Sequence, residues 1–330
     1  MGIRTESRLN SEQVRQFREE GFLIVPDVFD PIELTPLKRE LHERMAVKID
    51  ALHREGKISE TYPNESFENR AARIYEDSKE AGEAIMRDLE GPAGGGYTGP
   101  EMFKLITHPK LVAVIESLVG PEIVGSSVYR IRPKMPGTTS RGIVPWHQDS
   151  GYFAEHCDAH TIVTCWVPLV DATERNGCMK ILPRAHRRGI AKHYTGGHAG
   201  FLVIKDEDLL DTSVAVTAEC PAGGAVLMTN LTPHCSTPNF ENYVRWSLDL
   251  RYQGAEAPNN VDVFPEIDAE PTEDYLVACY PPEADFVIQS NRDPSRVTSY
   301  AQYSARRKRF DEMQHKSYPK RNWQPVATGV

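Results

Sequence analysis

The chain has 330 residues, 40% of them apolar, and a formal net charge of −9. This composition allows one large hydrophobic core, and the acidic balance disfavours a protein whose main task is to grip nucleic acid. No apolar run approaches the roughly 18 residues that span a bilayer, and the charged N-terminus does not resemble a signal peptide. The six cysteines form no CxxC pair, which fits a reducing compartment. We therefore expect a cytoplasmic protein without membrane or nucleic-acid partners.

The N-terminal part is predicted to be helical. A short capped helix ends at Gly21, ahead of the strand-like run 22–25, and a second helix begins at Asp30. The region 57–99 is polar and predicts loops and short helices, and another amphipathic helix follows over 109–118. The helix after Asp30 carries apolar residues at steps of three or four, namely Leu34, Leu37, Leu41, Met45, Ile49 and Leu52.

Beyond Gly120 the pattern changes to short β-rich runs separated by Gly, Pro, Asn and Asp turns. Repeated short strands without intervening helices predict an antiparallel sandwich or jelly roll. The fold class is thus mainly β with flanking helices, and the N-terminal helices are expected to pack on one sheet. The predicted strands are 126–131, 143–147, 161–169, 178–182, 213–218, 225–228 and 245–252.

No linker or internal repeat divides the chain, so we expect a single domain over 1–330. Its β core is expected at about 120–255, followed by a covering segment and a helical tail at about 256–330. The tail contains the basic run 306–309, which is more typical of a solvated helix face than of a nucleic-acid or lipid patch. The oligomeric state is left open.

The sequence His147-Gln148-Asp149 is the first chemical signal. Residues two apart on an extended strand project from the same face, so an imidazole and a carboxylate are offered to one point in space. By itself such a pair is more often a structural histidine beside a turn aspartate. A third ligand on the same face would make the two-histidine, one-carboxylate set that suits Fe(II), with three positions left open.

His234 is the candidate for that third ligand. A glycine turn at 221–224 feeds an apolar strand that leads to it, and Arg245 follows eleven residues later in the next β-like run. Antiparallel neighbours joined in this way bring His234 and Arg245 into one pocket. An arginine is the natural clamp for a carboxylate, because its planar fork makes two parallel charge-assisted hydrogen bonds.

At this point the sequence resembles the phytanoyl-CoA dioxygenase family of Fe(II)/2-oxoglutarate oxygenases. The resemblance runs from about residue 10 to 255 and is specific in the order and spacing of its motifs. Those motifs are Phe17-Arg18-Glu19-Glu20-Gly21-Phe22-Leu23-Ile24-Val25, His147-Gln148-Asp149, Asn176-Gly177-Cys178, Leu182-Pro183-Arg184-Ala185-His186, His234-Cys235-Ser236-Thr237-Pro238-Asn239 and Arg245.

The resemblance implies a double-stranded β-helix (jelly-roll, cupin-like) core with Fe(II), 2-oxoglutarate and O2 as cofactor and co-substrates. It implies His147, Asp149 and His234 as catalytic iron ligands, and Arg245 as the residue that binds the distal carboxylate of 2-oxoglutarate. Supporting co-substrate contacts are implied for Gln148, Ser236, Trp166 and Tyr129, although either aromatic is equally compatible with a plain core position.

The expected reaction is hydroxylation of an unactivated C–H bond of a small-molecule substrate, with release of succinate and CO2. The chain departs from the family at Arg184-Ala185-His186, where Gly-Ser-His is common, and the segment 192–211 is its own. Because loops around the open face of a barrel set substrate choice, this departure leaves the substrate, an acyl-CoA or another metabolite, undefined. Candidate substrate contacts are Arg141, Tyr152, Phe153 and Arg251.

Two alternatives stay open at this stage. One is a jelly-roll metalloenzyme that works without 2-oxoglutarate, either an oxygenase or an isomerase, which would have no need of Arg245. The other is a non-catalytic binding protein that keeps the fold.

Overall fold

The structure is a computed structural model. It describes residues 8–90, 97–126, 129–137, 143–197, 200–205, 208, 211–259, 261, 285–313 and 321–326.

In the described part of the chain, six helices lie ahead of residue 123 and a seventh lies near residue 300. The helices are α1 Ser11–Glu20, α2 Thr35–Arg54, α3 Phe67–Asp77, α4 Lys79–Glu90, α5 Pro100–Ile106, α6 Pro109–Val119 and α7 Tyr300–Met313. None of them, within the described parts of the chain, combines the length and apolar character that a bilayer span needs.

The strands are short, and most fall in the second half of the chain. They are β1 Phe22–Val25, β2 Ile123–Gly125, β3 Arg130–Ile131, β4 Ile162–Pro168, β5 Met179–Ile181, β6 Tyr194–Thr195, β7 Val216–Ala218, β8 Ala225–Thr229, β9 His234–Ser236, β10 Ser247–Gly254, β11 Phe286–Gln289 and β12 Gln324–Pro325.

Two antiparallel sheets form the jelly roll. The larger one has the order β1-β8-β4-β10-β2-β11, with β3 also paired to β10, and the smaller one has the order β7-β5-β9. A separate pair, β6 with β12, is parallel. Both β1 and β11 belong to the larger sheet, so that sheet takes strands from outside the expected core at 120–255.

Side-chain alternation along β10 separates two environments. Leu248, Leu250 and Tyr252 point to a large hydrophobic cluster that also contains the buried faces of α2, α3, α4 and α6. Asp249 and Arg251 alternate with them and face the inside of the jelly roll. The helices therefore pack on the outer face of the larger sheet, as the sequence predicts, and leave the interior for polar groups.

A second, smaller cluster lies between the two sheets. Trp166 and Met228 from the larger sheet meet Met179 and Ile181 from the smaller one. This apolar layer holds the sheets face to face and forms the floor of the interior.

Several sequence predictions are confirmed closely and others need correction. The helices α1, α2 and α6 begin and end within a few residues of the expected positions, and the polar region after residue 57 contains α3 and α4. The predicted strand 143–147 is not formed, because these residues pair only through an isolated bridge at His147. The run 126–131 is a strand only at Arg130–Ile131 in its described part.

The basic run 306–309 was expected to be a solvated helix face, and in part this is wrong. Arg307 is only 1% exposed and lies with its guanidinium carbon 5.2 Å from the centre of the Tyr129 ring. One turn earlier on α7, Tyr303 is also fully buried. Positions four apart share a face of a helix, so this face of α7 is a packing surface, whereas Lys308 on another face is exposed.

We predict that Gly21→Ala destabilises the fold more than Gly56→Ala does. Both glycines follow the end of a helix and have positive φ, +85° and +68°. A Cβ on Gly21 would lie 2.3 Å from Nδ1 of His186, whereas a Cβ on Gly56 would meet open space. Backbone strain is common to both variants, so the extra loss in Gly21→Ala, about 1–3 kcal/mol, reports the overpacking. Equal losses in urea unfolding would contradict this explanation.

Candidate metal and co-substrate site

Two histidines are brought side by side by a pair of backbone hydrogen bonds. The amide of His147 donates to the carbonyl of His234 (3.0 Å), and the amide of His234 donates to the carbonyl of His147 (2.9 Å). This antiparallel bridge joins the start of β9 to the irregular segment ahead of Asp149. Residues directly opposite each other in such a bridge project to the same side, and the two imidazole centres lie 4.3 Å apart.

Asp149 completes a group of three. It begins a 3-10 turn, Asp149–Tyr152, and its Oδ1 lies 3.8 Å from Nε2 of His147. One ligand atom from each of Asp149, His147 and His234 lies within 4.8 Å of the others, and all three residues are buried. Asp149 reaches this position through the turn rather than through an extended strand, but the expected convergence of the three groups is present.

The hydrogen bonds of the imidazoles leave the correct nitrogen atoms for a metal. Nδ1 of His147 lies 2.9 Å from the carbonyl of Pro145, and Nδ1 of His234 lies 3.0 Å from the carbonyl of Thr232. A carbonyl can only accept, so each Nδ1 carries the proton and each Nε2 has a free lone pair. Burial lowers the pKa of His147 to about 3, which keeps that imidazole neutral. The donor set therefore fits Fe(II).

The carboxylate of Asp149 is held at both oxygens. Nη2 of Arg251 donates to Oδ1 at 3.1 Å, and the hydroxyl of Thr164 donates to Oδ2. Desolvation alone would raise the pKa of Asp149, but the Arg251 guanidinium, helped by the Thr164 hydrogen bond, holds that pKa well below its usual value. The side chains of Arg251 and Asp149 are only 7% and 3% exposed, so the ion pair is nearly dry.

Arg245 is a buried cation without an anion among the described residues. It is 3% exposed, and its Nε has no hydrogen-bond partner in that part of the chain. Nη1 donates to the hydroxyl of Ser247, and the guanidinium carbon lies 5.1 Å from the centre of the Trp166 ring. Burial lowers the pKa of Arg245 to about 9, so it is still charged at neutral pH. A desolvated charge of this kind requires an anionic ligand.

Lys134 stands beside Arg245 and was missed by the sequence analysis. Its backbone bridges to that of Arg245, and its Nζ donates to the Ser236 hydroxyl at 2.9 Å. Lys134 is 4% exposed, and burial, followed by the Arg245 charge, lowers its pKa to about 6. Continuing the alternation of β3 beyond residue 131 would have placed Arg132 and Lys134 on the inward face.

One cavity, partly open to solvent and with about 80 Å³ of accessible volume, connects these groups. The lining residues are Glu90, Arg132, Pro133, Lys134, Val144, His147, Trp166, Met179, Met228, His234, Cys235, Ser236, Arg245 and Asp249.

Of the residues expected to support the co-substrate, Trp166 and Ser236 line this cavity, and two others do not. The side-chain amide of Gln148 points away from the cavity, and its Nε2 donates to the carbonyls of Gly189 (2.9 Å) and Leu231 (2.6 Å). The hydroxyl of Tyr129 donates to the carbonyl of Tyr97 (2.8 Å). Both side chains therefore serve packing and loop attachment.

The described residues that were expected to contact the substrate also make other contacts. Phe153 is buried in a small apolar cluster, and Arg251 is taken up by Asp149. Tyr152 packs edge-on against His147, with ring centres 6.0 Å apart, and its hydroxyl accepts from the amide of Leu202. Arg141 lies outside the described residues.

A C-terminal strap, residues 321–326, backs the ligand-bearing turn. The indole of Trp323 donates to the carbonyl of Gly151 (2.8 Å), and β12, within the strap, pairs with β6. His193, just ahead of β6, is fully buried, and its Nε2 accepts from the backbone amide of Gln148 (3.0 Å). His193 thus braces the His147-Gln148-Asp149 segment from behind, a contact that no local sequence pattern indicates.

The family model for phytanoyl-CoA dioxygenase (PhyH) matches residues 17–245. The chain belongs to this family of Fe(II)/2-oxoglutarate oxygenases. Among curated relatives, phytanoyl-CoA dioxygenase domain-containing protein 1 of Danio rerio is 25% identical over 260 residues, which cover 72% of this chain and 87% of the relative. The peroxisomal phytanoyl-CoA dioxygenase of Bos taurus is 25% identical over 265 residues, 76% of this chain and 71% of the relative.

Solved structures support the jelly-roll fold. The non-haem monooxygenase ThoJ aligns with a TM-score of 0.54 and 18% identity, covering 92% of this PhyH-family chain and 98% of ThoJ. The epimerase SnoN, solved with Fe3+, α-ketoglutarate and nogalamycin RO, aligns with a TM-score of 0.53 and 19% identity. The alignment covers 84% of this chain and 98% of SnoN.

We predict that Arg251→Met weakens Fe(II) binding about 10–100-fold, because Asp149 loses the cation that keeps its carboxylate ionised and oriented. Anaerobic Fe(II) titration of the purified protein measures this. Arg292→Met is the matched control, since Arg292 pairs with Glu256 at 3.1 Å but is 75% exposed. An unchanged Fe(II) affinity in Arg251→Met would show that Thr164 alone positions Asp149.

Proposed function

We propose that this protein uses Fe(II), 2-oxoglutarate and O2 to hydroxylate an unactivated C–H bond of a small-molecule metabolite. The observation that carries the proposal is the combination, in one cavity, of the His147 and His234 rings beside Asp149 with a buried guanidinium, Arg245, whose Nε has no partner among the described residues. Metal ligands alone fit many jelly-roll proteins. A carboxylate clamp within the same cavity favours the use of 2-oxoglutarate.

Each end of the co-substrate has a complementary group. His147, Asp149 and His234 would hold the iron that the keto-acid end chelates, and Arg245 with Lys134 would bind the distal carboxylate by charge-assisted hydrogen bonds. The Ser236 hydroxyl, which accepts from Lys134, lines the same cavity. Val144, Met179 and Met228 provide the apolar walls that keep water away from the chelated end.

When bound, Fe(II) supplies the redox chemistry that couples decarboxylation of 2-oxoglutarate and reduction of O2 to cleavage of a C–H bond. The balance is one substrate, one 2-oxoglutarate and one O2 giving one hydroxylated product, one succinate and one CO2. The protein's part is to fix the substrate, exclude water, and keep the His147 imidazole neutral and Asp149 ionised.

Two of the solved relatives bear on the outcome of the reaction, because SnoN is named an epimerase and SnoK a carbocyclase. Hydroxylation is our proposal, because the chain keeps a carboxylate, Asp149, in the set of residues that would hold the iron. Desaturation or ring closure would follow if substrate geometry favoured loss of a second hydrogen. Arg245 argues against a 2-oxoglutarate-independent enzyme, and the intact ligand set argues against a purely binding protein.

We also propose that the chain works as a single domain with a small-molecule substrate, in the cytoplasm. The support for one domain is that strands from both ends of the chain, β1 and β11, belong to the sheet that carries the site.

The first prediction from this proposal is that the purified protein binds one Fe(II) and releases succinate from 2-oxoglutarate under air. His147→Ala, Asp149→Ala and His234→Ala should each remove this turnover and leave the far-ultraviolet circular dichroism unchanged. His108→Ala is a control, because His108 caps α6 far from the triad in sequence and is not among the cavity-lining residues. Full activity in two of the three triad variants would refute the metal assignment.

The second prediction concerns the anion site. Arg245→Ala should weaken 2-oxoglutarate binding by about 2–5 kcal/mol, and Arg245→Lys should recover part of the loss. In the free protein the pKa of Lys134 is lowered to about 6. A bound dianion stabilises the charged ammonium and raises that pKa, so binding takes up a proton and strengthens as pH falls towards 6.

Calorimetry at pH 6.5 and 8.5 measures this pH dependence. Lys134→Met should bind more weakly and lose this part of the dependence. If the ratio of the two affinities is the same in Lys134→Met and in the wild type, Lys134 does not contact the co-substrate.

A further inference from the structure

One part of the cavity wall has no role in binding the metal or 2-oxoglutarate. Besides the metal ligands and the anion site of Lys134 and Arg245, the lining includes three charged residues, Glu90, Arg132 and Asp249. A co-substrate with two carboxylates, one at the metal and one at Arg245, leaves these three groups available to another ligand.

Arg132 and Asp249 face the cavity together because of strand register. The backbone amide of Arg132 donates to the carbonyl of Ser247, and Asp249 lies opposite Arg130, so Arg132 and Asp249 are diagonal neighbours on one face. Their side chains are 36% and 14% exposed, which puts Arg132 nearer to the solvent and Asp249 deeper in the cavity.

The contacts within this wall are loose. Oδ2 of Asp249 lies 3.4 Å from Nη2 of Arg132 and 3.8 Å from Nη2 of Arg251, and the latter guanidinium is already engaged with Asp149 at 3.1 Å. Charge-assisted N–H···O bonds are normally about 2.7–2.9 Å long. The partly buried carboxylate therefore keeps unused acceptor capacity, and such a group gains free energy from a ligand that donates to it.

The signs of the charges define the ligand. A substrate with an ammonium group satisfies Asp249 and Glu90, and a substrate carboxylate satisfies Arg132 without leaving any of the three unpaired. A purely anionic substrate would leave two carboxylates beside it, and a purely cationic one would leave Arg132 without an anion.

We infer that Asp249 and Arg132 recognise the substrate, and that the substrate is a small zwitterion of the amino-acid class. This inference rests on the proposed function, because the cavity is assigned to the substrate only if the co-substrate occupies the site of Arg245. The ammonium end lies at Asp249, on the strand that also carries Arg251 and so beside Asp149. The carboxylate end lies towards the solvent at Arg132.

The test uses the 330-residue protein loaded with Ni(II) and 2-oxoglutarate, because this complex binds ligands without turnover. Calorimetry and ligand-induced changes in Tm are measured for the twenty free L-amino acids, for the corresponding amines and deaminated acids, and for hexadecanoyl-CoA. We expect at least one amino acid to bind at least tenfold more tightly than its amine and its acid.

Asp249→Asn and Arg132→Gln should each weaken the binding of that amino acid at least tenfold more than they weaken the binding of 2-oxoglutarate. Arg132→Gln keeps the test decisive if Asp249→Asn does not fold, since Arg132 is the more exposed partner. Asp88→Asn is the matched control, because Asp88 forms a 2.7 Å pair with Arg44 on the helical surface.

Three results would overturn the inference while 2-oxoglutarate still binds: no amino acid binds, hexadecanoyl-CoA or a deaminated acid binds as tightly as the best amino acid, or both cavity variants bind it like the wild type. Loss of 2-oxoglutarate binding in the wild type would instead refute the proposed function. The two failures are therefore distinguishable.

Discussion

The reciprocal backbone pair between His147 and His234 is the constraint on which the site depends. These residues are 87 positions apart in sequence, and two hydrogen bonds of 3.0 and 2.9 Å fix their separation and the side to which both rings point. Each ring is then oriented by a carbonyl two residues earlier in its own chain segment. Because the main chain does this work, a jelly roll can vary most of its interior side chains and still present two nitrogen atoms to one point.

The strand β10 organises the remaining chemistry. From Arg245, two residues ahead of β10, through Asp249 to Arg251 within it, inward positions alternate with residues that fill the helix-covered core. A period of two thus separates the packing function from the chemical function along a single strand. The cost of burying several charges is offset in different ways: Arg251 has Asp149, whereas Arg245 has only dipoles and an aromatic face among the described residues. That difference distinguishes a structural ion pair from a binding group.

Much of this arrangement could be predicted from the sequence, because the motifs that carry it are local. The two-residue spacing of His147 and Asp149, the strand leading towards His234 and the position of Arg245 are all short-range patterns, and the resemblance to a family supplied their order. Contacts that depend on tertiary structure were harder to predict from the sequence. Arg251 and Lys134 depend on which strand lies opposite, and the burial of Arg307 depends on α7 docking against Tyr129. A basic run carries no local sign that one of its members is buried.

The C-terminal strap has a consequence for how the site comes into being. Trp323 contacts the turn that carries Asp149, and β12 pairs with the strand next to His193, so the support behind Asp149 comes from residues more than 170 positions later. During synthesis the ligands leave the ribosome long before that support does. Contacts of such high sequence separation form late in folding. The nascent chain therefore exposes His147 and Asp149 without their brace until the strap has been synthesised and has packed against them.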